Sequence, residues 1–310
     1  MKSMMLEQLM YASYFAPRGR NRMYVLGQQI SERYLSPLDR LIGVIGDAGA
    51  GKSSLIKGMF PGLELTNDDD GVNVRPLPLL KNIDKGFFSS HTYHIDIRFE
   101  SAFTQIYILA DAVKRAISQN KRVIVEHFDL LYPALGENAD VLIGVGGDVI
   151  VVRPTTFGPF PQEVISVVTK TLRYRKMAHT AEDITSRILL HDYGAILPFG
   201  HRDVHNGFVL EYPLPIDADL REIEKKVKNF IDEGLSVCYV DEGHIKFGDD
   251  LWVCSGPRTH VRNTEEIENF RLIPEYKHDP KTNTYLIIGV VGPNSDNLDG
   301  FAGLSHAATI

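Results

Sequence analysis

The sequence predicts two domains of mixed α/β type, one with a three-layer arrangement around a mainly parallel sheet at residues 1–170 and a smaller α+β domain at residues 171–310. In the first half, short apolar segments of strand length alternate with helical patterns, which favours a parallel sheet with right-handed connections. In the second half, a long helical segment precedes several short strands, which is typical of an α+β fold. The length of 310 residues is sufficient for two domains of ordinary size.

The composition excludes several classes of protein. Hydrophobic residues make up 44% of the chain and charged residues 24%, which indicates a globular rather than a disordered protein. The net charge of −7 argues against a broad nucleic-acid-binding surface. The two cysteines do not suggest a disulfide framework, and no apolar run approaches the ~20 residues of a membrane helix. We therefore expect a cytoplasmic protein without a membrane partner.

In the first half, the elements follow from hydrophobic periodicity and turn residues. They are a helical segment over residues 1–35 that is broken at Ala16-Pro17-Arg18-Gly19, strands at 41–45, 63–65, 92–98, 123–126, 141–143 and 149–152, and helices at 54–60 and 102–120. The helix at 102–120 is the clearest of these, because Ile106, Leu109 and Val113 recur at helical spacing.

In the second half, a long helix is predicted at 164–190, followed by a strand at 209–212. A charged amphipathic helix at 217–234 comes next, and Gly234 provides its stop signal. Short strands then continue to residues 286–291, and we expect the tail from 292 to be a loop or a frayed end.

One segment of the first domain has the residue pattern of a phosphate-binding loop. Residues Gly46–Ser53 fit G-x-x-x-x-G-K-[ST], with a predicted strand before and a predicted helix after them. Backbone N–H groups of such a loop bind phosphate oxygens, the lysine reaches the β- and γ-phosphates and the hydroxyl ligates Mg²⁺. The predicted nucleotide-binding residues are Gly46, Asp47, Ala48, Gly49, Ala50, Gly51, Lys52, Ser53 and Ser54, with Lys52 catalytic and Ser53 on Mg²⁺.

Acidic residues follow two predicted strands and supply the remaining candidates for catalysis. Glu126 ends an apolar strand, so we expect it to ligate Mg²⁺ beside the loop, or else to be an ordinary acid at a strand end. Asp68 and Asp70 follow the predicted second strand, where one of them would act as general base. The same run is also good turn chemistry, and the two interpretations have equal weight. His91, His94 and Asp96 are a weaker cluster, and we expect its two histidines to be surface residues.

The first half resembles the uridine-kinase-like branch of P-loop kinases. The resemblance depends on the loop, on the acids after strand two and on residues 124–131, where the family has a similar "IVEG…LL" stretch and this chain has His127 in place of the glycine. It implies ATP, Mg²⁺ and phosphotransfer to a small molecule. No N-K-x-D sequence occurs to recognise guanine, which favours ATP over GTP.

The second half resembles the second additional domain of alanyl- and threonyl-tRNA synthetases, which includes AlaX-like editing proteins. Three blocks in the family's order carry the resemblance: residues 173–183 around "HTAxH", residues 206–227 similar to "NGFYYDF…DLxxIExxM", and residues 254–267 similar to "CxGxHVxNTGEI". The resemblance implies a pocket for an aminoacyl or similar small-molecule acceptor. In this family, H-x-x-x-H and C-x-x-x-H supply four zinc ligands, and the site removes a wrong amino acid from tRNA.

The corresponding residues of this chain are His179, Asp183, Cys254 and His260. Aspartate replaces the second histidine, and two extra residues separate Cys254 from His260. Zinc accepts carboxylate oxygen as well as imidazole nitrogen, so the set still suits zinc. The alternative is a domain that kept the fold and lost the metal. His201 and His205 have the same spacing, but Pro198, Gly200 and Asn206-Gly207 make a helix there unfavourable.

Three functions remain open from the sequence. The leading hypothesis is an ATP-dependent phosphotransferase or ATPase whose second domain recognises the acceptor. The second is a zinc-dependent hydrolase of mischarged tRNA with a regulatory nucleotide site, which the acidic net charge disfavours. The third is a non-catalytic binding module switched by nucleotide.

Overall fold

A computed structural model describes residues 11–66, 77–195, 198, 200–254 and 256–293. The chain divides into two compact units, with the boundary between Lys170 and Thr171. Phe15–Gly19 are an exception, because this N-terminal segment belongs to the second unit. The sequence assigned it to the first domain.

The first unit is built around a six-stranded mixed sheet. Its elements are β1 (Tyr11–Phe15), α1 (Arg20–Tyr34), β2 (Leu41–Ile45), α2 (Lys52–Met59), α3 (Pro78–Asp84), β3 (Thr92–Asp96), α4 (Ile97–Glu100), α5 (Ile106–Ser118), β4 (Arg122–Glu126), α6 (Phe128–Leu135), β5 (Val141–Val145), β6 (Asp148–Val152) and the start of α7 (Pro161–Tyr193). The strand order is β1-β6-β5-β2-β4-β3. Strands β5, β2, β4 and β3 are parallel to one another, whereas β6 is antiparallel to β5. The predicted mainly parallel sheet is therefore a mixed one.

The central strands are apolar along their whole length because both of their faces are covered. Every residue of β2 and of β5 is buried, as expected for strands in the middle of a parallel sheet. The apolar face of α5, which includes Leu109 and Val113, joins the same core. Among the residues that the structure describes, no helix is both long enough and apolar enough to cross a membrane.

Two predicted elements of the first unit are wrong. Tyr11–Phe15 form a strand where a helix was predicted, in keeping with the β-propensity of the aromatic residues in YASYF. Leu63–Leu65 lie outside any strand. In the described part of the chain, the first strand that follows the loop at Gly46–Ser53 is β3. The three-residue apolar stretch was too short to identify a strand, and it directly follows a turn at Pro61-Gly62.

The second unit contains two antiparallel sheets and two long helical segments. Its elements are the remainder of α7, β7 (Gly200–Val204), β8 (Gly207–Tyr212), α8 (Leu220–Asp232), β9 (Val237–Asp241), β10 (His244–Phe247), β11 (Asp250–Val253), β12 (Arg271–Leu272), β13 (Lys277–Asp279) and β14 (Thr284–Val290). One sheet has the order β11-β10-β9, and the other has the order β12-β14-β8-β7 with β13 on β14. The helix predicted at 217–234 is confirmed as α8, whose N-cap residue Asp219 accepts a hydrogen bond from the Arg221 amide at 2.9 Å.

Close packing between α1 and α2 depends on two glycines. A Cβ at Gly58 would overlap the carbonyl oxygen of Tyr24, and a Cβ at Gly27 would overlap that of Leu55. The helix that follows the loop is therefore held against α1 by backbone contact.

Replacing Gly58 with alanine is expected to destabilise the first unit, although alanine has the higher helix propensity. The propensity gain of about 1 kcal/mol is smaller than the cost of about 1–3 kcal/mol for forcing two helix backbones apart. Hydrogen exchange at the amides of β2 measures this for the unit concerned. Gln29→Ala, at an exposed position of α1, is the control and should change little. A G58A protein with unchanged or slower exchange would contradict the close-packing argument.

Candidate functional site

The loop between β2 and α2 has a backbone that only glycine accommodates at its critical positions. Gly46, Gly49 and Gly51 have φ angles of 151°, 78° and 101°. A Cβ at Gly46 would also overlap the carbonyl oxygen of Val145 on the neighbouring strand β5. The glycines of the motif thus allow the chain to turn sharply at the end of β2 and to leave room for a ligand against the backbone.

The N-terminus of α2 is available to an anion. Gly51 is its N-cap residue, and no side chain caps the helix there. The first amides of a helix lack intrahelical acceptors and carry a partial positive charge. A phosphate group is a suitable partner for such a helix start. The loop and helix together therefore fit the nucleotide phosphates that the sequence predicted.

Lys52 lies at the centre of this loop and is buried. Its ammonium group donates hydrogen bonds to the carbonyl oxygens of Gly46, at 3.1 Å, and Asp47, at 3.0 Å. It also lies 3.9 Å from Oε2 of Glu126. The cation is thus held over the loop with a carboxylate beside it.

Glu126 reaches the loop because β4 is the parallel neighbour of β2. Glu126 pairs in register with Val44, two residues before Gly46. Since parallel strands end at the same edge of a sheet, a carboxylate at the end of β4 lies beside the loop that follows β2. This is the location expected for Glu126 as a residue near Mg²⁺.

His94 fixes the orientation of Glu126, which the sequence did not reveal. The Thr66 amide donates to Nδ1 of His94 at 3.1 Å, so the ring proton is on Nε2, which donates to Glu126 Oε1 at 3.1 Å. Burial would raise the pKa of Glu126, but the hydrogen bond from His94 and the charge of Lys52 bring the pKa below its usual value. Glu126 is therefore an ionised carboxylate at neutral pH. The prediction that His94 is a surface residue was wrong, since it is buried on β3.

Asp96 occupies the end of β3 and lies in register with Glu126. It is buried, and it caps α4 by accepting a hydrogen bond from the Phe99 amide at 3.1 Å. Asp68 and Asp70, the predicted general bases, lie outside the described residues. Within the described part, Asp96 is the carboxylate at the end of β3, at the same edge of the sheet where β2 and β4 end.

Two further residues after β4 lie close to this charged group. His127, at the position where the resembled family has glycine, has a φ of 55° in the left-handed region. Backbone of this kind is uncommon for a residue with a side chain and is frequent at functional sites. Asp129 is buried, and burial raises the pKa of its carboxyl group. Neither residue was predicted, although the non-glycine residue in the "IVEG" position was a visible signal.

The second unit brings together the four residues implied by the synthetase resemblance. His179 and Asp183 are one turn apart on α7. Cys254 directly follows β11, and His260 lies further along the same loop. One ligand atom from each lies within 4.8 Å of all the others. The aspartate and the two extra residues between Cys254 and His260 have not separated the donors.

The donor separations suit a small tetrahedral ion. The Cys254 Sγ atom lies 3.2 Å from Nε2 of His260 and 3.6 Å from Nε2 of His179. The Asp183 carboxylate lies 4.0 Å from Nε2 of His179 and 3.5 Å from Nε2 of His260. Zinc bonds of about 2.0–2.3 Å in tetrahedral geometry place donors roughly 3.3–3.8 Å apart. The four residues therefore form a possible metal site, and most of these separations are close to those expected for zinc.

Hydrogen bonds fix both histidines in the form that binds metal. Nδ1 of His179 donates to the carbonyl oxygen of Thr259 at 3.1 Å. The Thr180 hydroxyl donates to the Lys176 carbonyl, so it accepts from Nδ1 of His260 at 3.2 Å. Each ring therefore presents an unprotonated Nε2 to the centre of the cluster, as zinc-binding histidines do.

The cluster is electrostatically unfavourable without a cation. Burial raises the pKa of Asp183 to about 6 and lowers the pKa of His260 to about 3. The Oδ2 atom of Asp183 is buried without a hydrogen-bond partner. Since it faces an unprotonated nitrogen of His260, two acceptors lie opposite each other. A metal ion would satisfy both, and this orphaned oxygen is the best evidence that the residues fit a metal.

The second histidine pair has a different role. His201 lies on strand β7 and His205 directly follows it, so the prediction that no helix forms there is confirmed. Nδ1 of His201 bonds to Glu182 Oε1 at 2.6 Å, and the His205 ring lies 5.8 Å from that of Phe15. Neither belongs to the four-residue cluster.

Comparison with known proteins adds no family to these observations. The sequence matches no protein-family model, and a search of the curated proteins finds no significant match.

Proposed function

We propose that this protein binds Mg²⁺–ATP through its first domain and catalyses phosphotransfer or ATP hydrolysis. The second domain holds a zinc-type metal centre and recognises an aminoacyl-like or other small-molecule acceptor. Both parts follow the family resemblances, and each is supported by a site whose residues fit the group concerned.

The observation that carries the nucleotide proposal is the position of Glu126 beside Lys52. Their 3.9 Å separation puts a cation and a carboxylate side by side, next to a glycine loop and a helix start without a side-chain cap. In the proposed complex the amides and Lys52 bind the phosphates, and Ser53 and Glu126 hold Mg²⁺. The metal would neutralise charge on the β- and γ-phosphate oxygens.

Among the described residues, we assign the role of general base to Asp96. It would accept the proton of the hydroxyl group that receives the phosphoryl group. A general base must lie within hydrogen-bond reach of the acceptor, on the side of the phosphates where the acceptor enters. Asp96 ends the strand next to β4, in register with Glu126. Asp68 and Asp70 stay candidates for the same role.

The metal centre favours a structural function over hydrolysis. Zinc in a structural site is held by four protein ligands, whereas a hydrolytic zinc keeps one position open for water. The four donors within 4.8 Å of one another would complete a tetrahedron. This supports the phosphotransferase over the rival zinc-dependent hydrolase, for which the net charge of −7 is also unfavourable.

One combined experiment separates the proposals. Purified protein is analysed for bound zinc, and nucleotide binding is measured by calorimetry with ATP and GTP, each with and without Mg²⁺. We expect one zinc per chain and preferential binding of Mg²⁺–ATP. Absence of nucleotide binding would refute the phosphotransferase. Release of amino acid from a mischarged tRNA without ATP would establish the hydrolase.

Replacing Glu126 with glutamine is expected to remove the benefit of Mg²⁺ for ATP binding. The amide still accepts the proton of His94, so the local fold is preserved, but the negative charge that attracts the cation is lost. The affinity for Mg²⁺–ATP should fall roughly 10-fold, while the affinity for ATP in EDTA stays the same or increases. Calorimetry measures both values.

Glu137→Gln, at an exposed glutamate, is the matched control for Glu126→Gln. Equal Mg²⁺ dependence in the wild type and in E126Q would show that Glu126 does not act on the metal.

A further inference from the structure

A short N-terminal segment contributes a buried arginine to the second unit. Phe15–Gly19 belong to this unit, although the rest of it begins at Thr171. Arg18 is only 5% exposed. Its guanidinium forms an ion pair with Glu182, and its Nε donates to Oδ1 of Asp203 at 2.6 Å. Glu182 precedes the metal-cluster residue Asp183 in the sequence.

The same segment contacts the elements that carry the proposed metal ligands. The Pro17 carbonyl accepts a hydrogen bond from Arg175 at 2.6 Å, and Arg175 lies one turn before His179 on α7. On the other side, a Cβ added to Gly256 would lie 2.8 Å from Cε1 of His179 and 3.6 Å from the Gly19 nitrogen, so Gly256 lies next to both residues. Gly256 belongs to the loop between Cys254 and His260. The segment therefore lies where α7 and this loop meet.

Arg18 belongs to a charged network next to the proposed ligand Asp183. Its guanidinium pairs with Glu182 and Asp203, and Oε1 of Glu182 also bonds to Nδ1 of His201 at 2.6 Å. Glu182, Asp203 and His201 are the other ionisable groups of this network.

We propose that Phe15–Gly19 form a strap over the metal centre and that Arg18 is a positioning residue, which locks the strap to α7 and β7 and thereby retains the metal. This inference rests on the proposed metal centre. The metal leaves only when α7 and the Cys254–His260 loop separate, and the strap is bonded to α7 and lies next to Gly256 of the loop. Loss of the Arg18 ion pairs therefore accelerates metal release while the four ligands stay in place.

The test uses the full-length protein loaded with Co²⁺, whose visible absorption spectrum reports tetrahedral coordination and cysteine ligation. Release is started by excess EDTA and followed by the decay of that spectrum. Arg18→Gln is expected to keep the wild-type spectrum and to release Co²⁺ about 10- to 100-fold faster, the range typical of residues that support metal ligands. Arg18→Lys keeps the charge without the guanidinium fork, and its rate should lie between the two.

The matched control is Arg173→Gln. Arg173 also lies on α7 and pairs with Glu268, but this pair is exposed at the surface. Its release rate should equal that of the wild type. Arg18→Gln leaves Glu182 as an unpaired buried charge, which can prevent folding. The double variant R18Q/E182Q removes the ion pair without that penalty. It should release Co²⁺ as fast as is expected for Arg18→Gln, about 10- to 100-fold faster than the wild type.

Two results would overturn the inference, and they differ in what else they exclude. Wild-type release rates in both Arg18→Gln and R18Q/E182Q would refute the strap while leaving the metal centre intact. A wild-type protein that takes up neither Co²⁺ nor Zn²⁺ would refute the metal centre and the strap together.

Discussion

Replacing Lys52 with alanine is expected to lower ATP turnover by on the order of 100- to 1,000-fold, the cost of removing one charged donor from a developing transition state. Lys52 is buried in the loop, and its ammonium is held by two backbone carbonyls beside Glu126. The truncated side chain leaves no cation for the β- and γ-phosphates. Release of ADP in a coupled assay measures turnover, and calorimetry measures the accompanying loss of ATP affinity.

The control for this variant is Lys114→Ala, which removes an exposed lysine from α5 and should leave turnover unchanged. Wild-type ADP release from K52A would mean that the loop is not the catalytic site. Hydrolysis of mischarged tRNA that survives in K52A but disappears in His179→Ala would favour the rival hydrolase instead.

Replacing Cys254 with alanine is expected to weaken zinc binding by roughly 100- to 1,000-fold. If four donors share about 10–16 kcal/mol of binding free energy equally, the loss of one costs about 2.5–4 kcal/mol. The orphaned Oδ2 atom of Asp183 and the two unprotonated histidine nitrogens then lack their common partner. The second unit should unfold at a lower temperature, since a ligand that binds only the folded state stabilises it. Zinc content after purification and competition with a fluorescent chelator measure the affinity.

Cys238→Ala is the matched control, because Cys238 is the other cysteine of the chain and is exposed. It should bind zinc like the wild type. Asp183→His restores the histidine of the resembled motif and should retain the metal. If the wild type contains no zinc and EDTA does not change its thermal unfolding, the four residues are a polar cluster without a metal.

Features defined by consecutive residues could be predicted from the sequence. The turn at Gly46–Ser53 is one, since its glycines adopt positive φ angles and, like the lysine after them, occupy consecutive positions of one segment. The pairing of His179 with Asp183 is another, because a separation of four residues places both on one face of a helix. The helix α8 was also predictable, since its buried residues Ile223, Val227 and Ile231 recur at helical spacing.

Other features depend on residues that are distant in the sequence. His94 was taken for a surface residue because its partner, Glu126, lies on another strand. Their contact arises from the parallel register of β3 and β4, which no local pattern encodes. The antiparallel direction of β6 was missed for the same reason, since its pairing with β5 decided it.

The sequence by itself indicated the candidate residues of each site, because the patterns of phosphate-binding loops and of metal-binding side chains depend on residue type and short spacing. The tertiary structure decided which groups assist them. Glu126 is oriented by His94, which lies on the neighbouring strand. Arg18 lies beside the four-residue cluster, although it precedes its partner Glu182 by more than 150 positions in the sequence. The physical reason is that burial and electrostatic interaction depend on distance in space, and only the folded chain determines that distance.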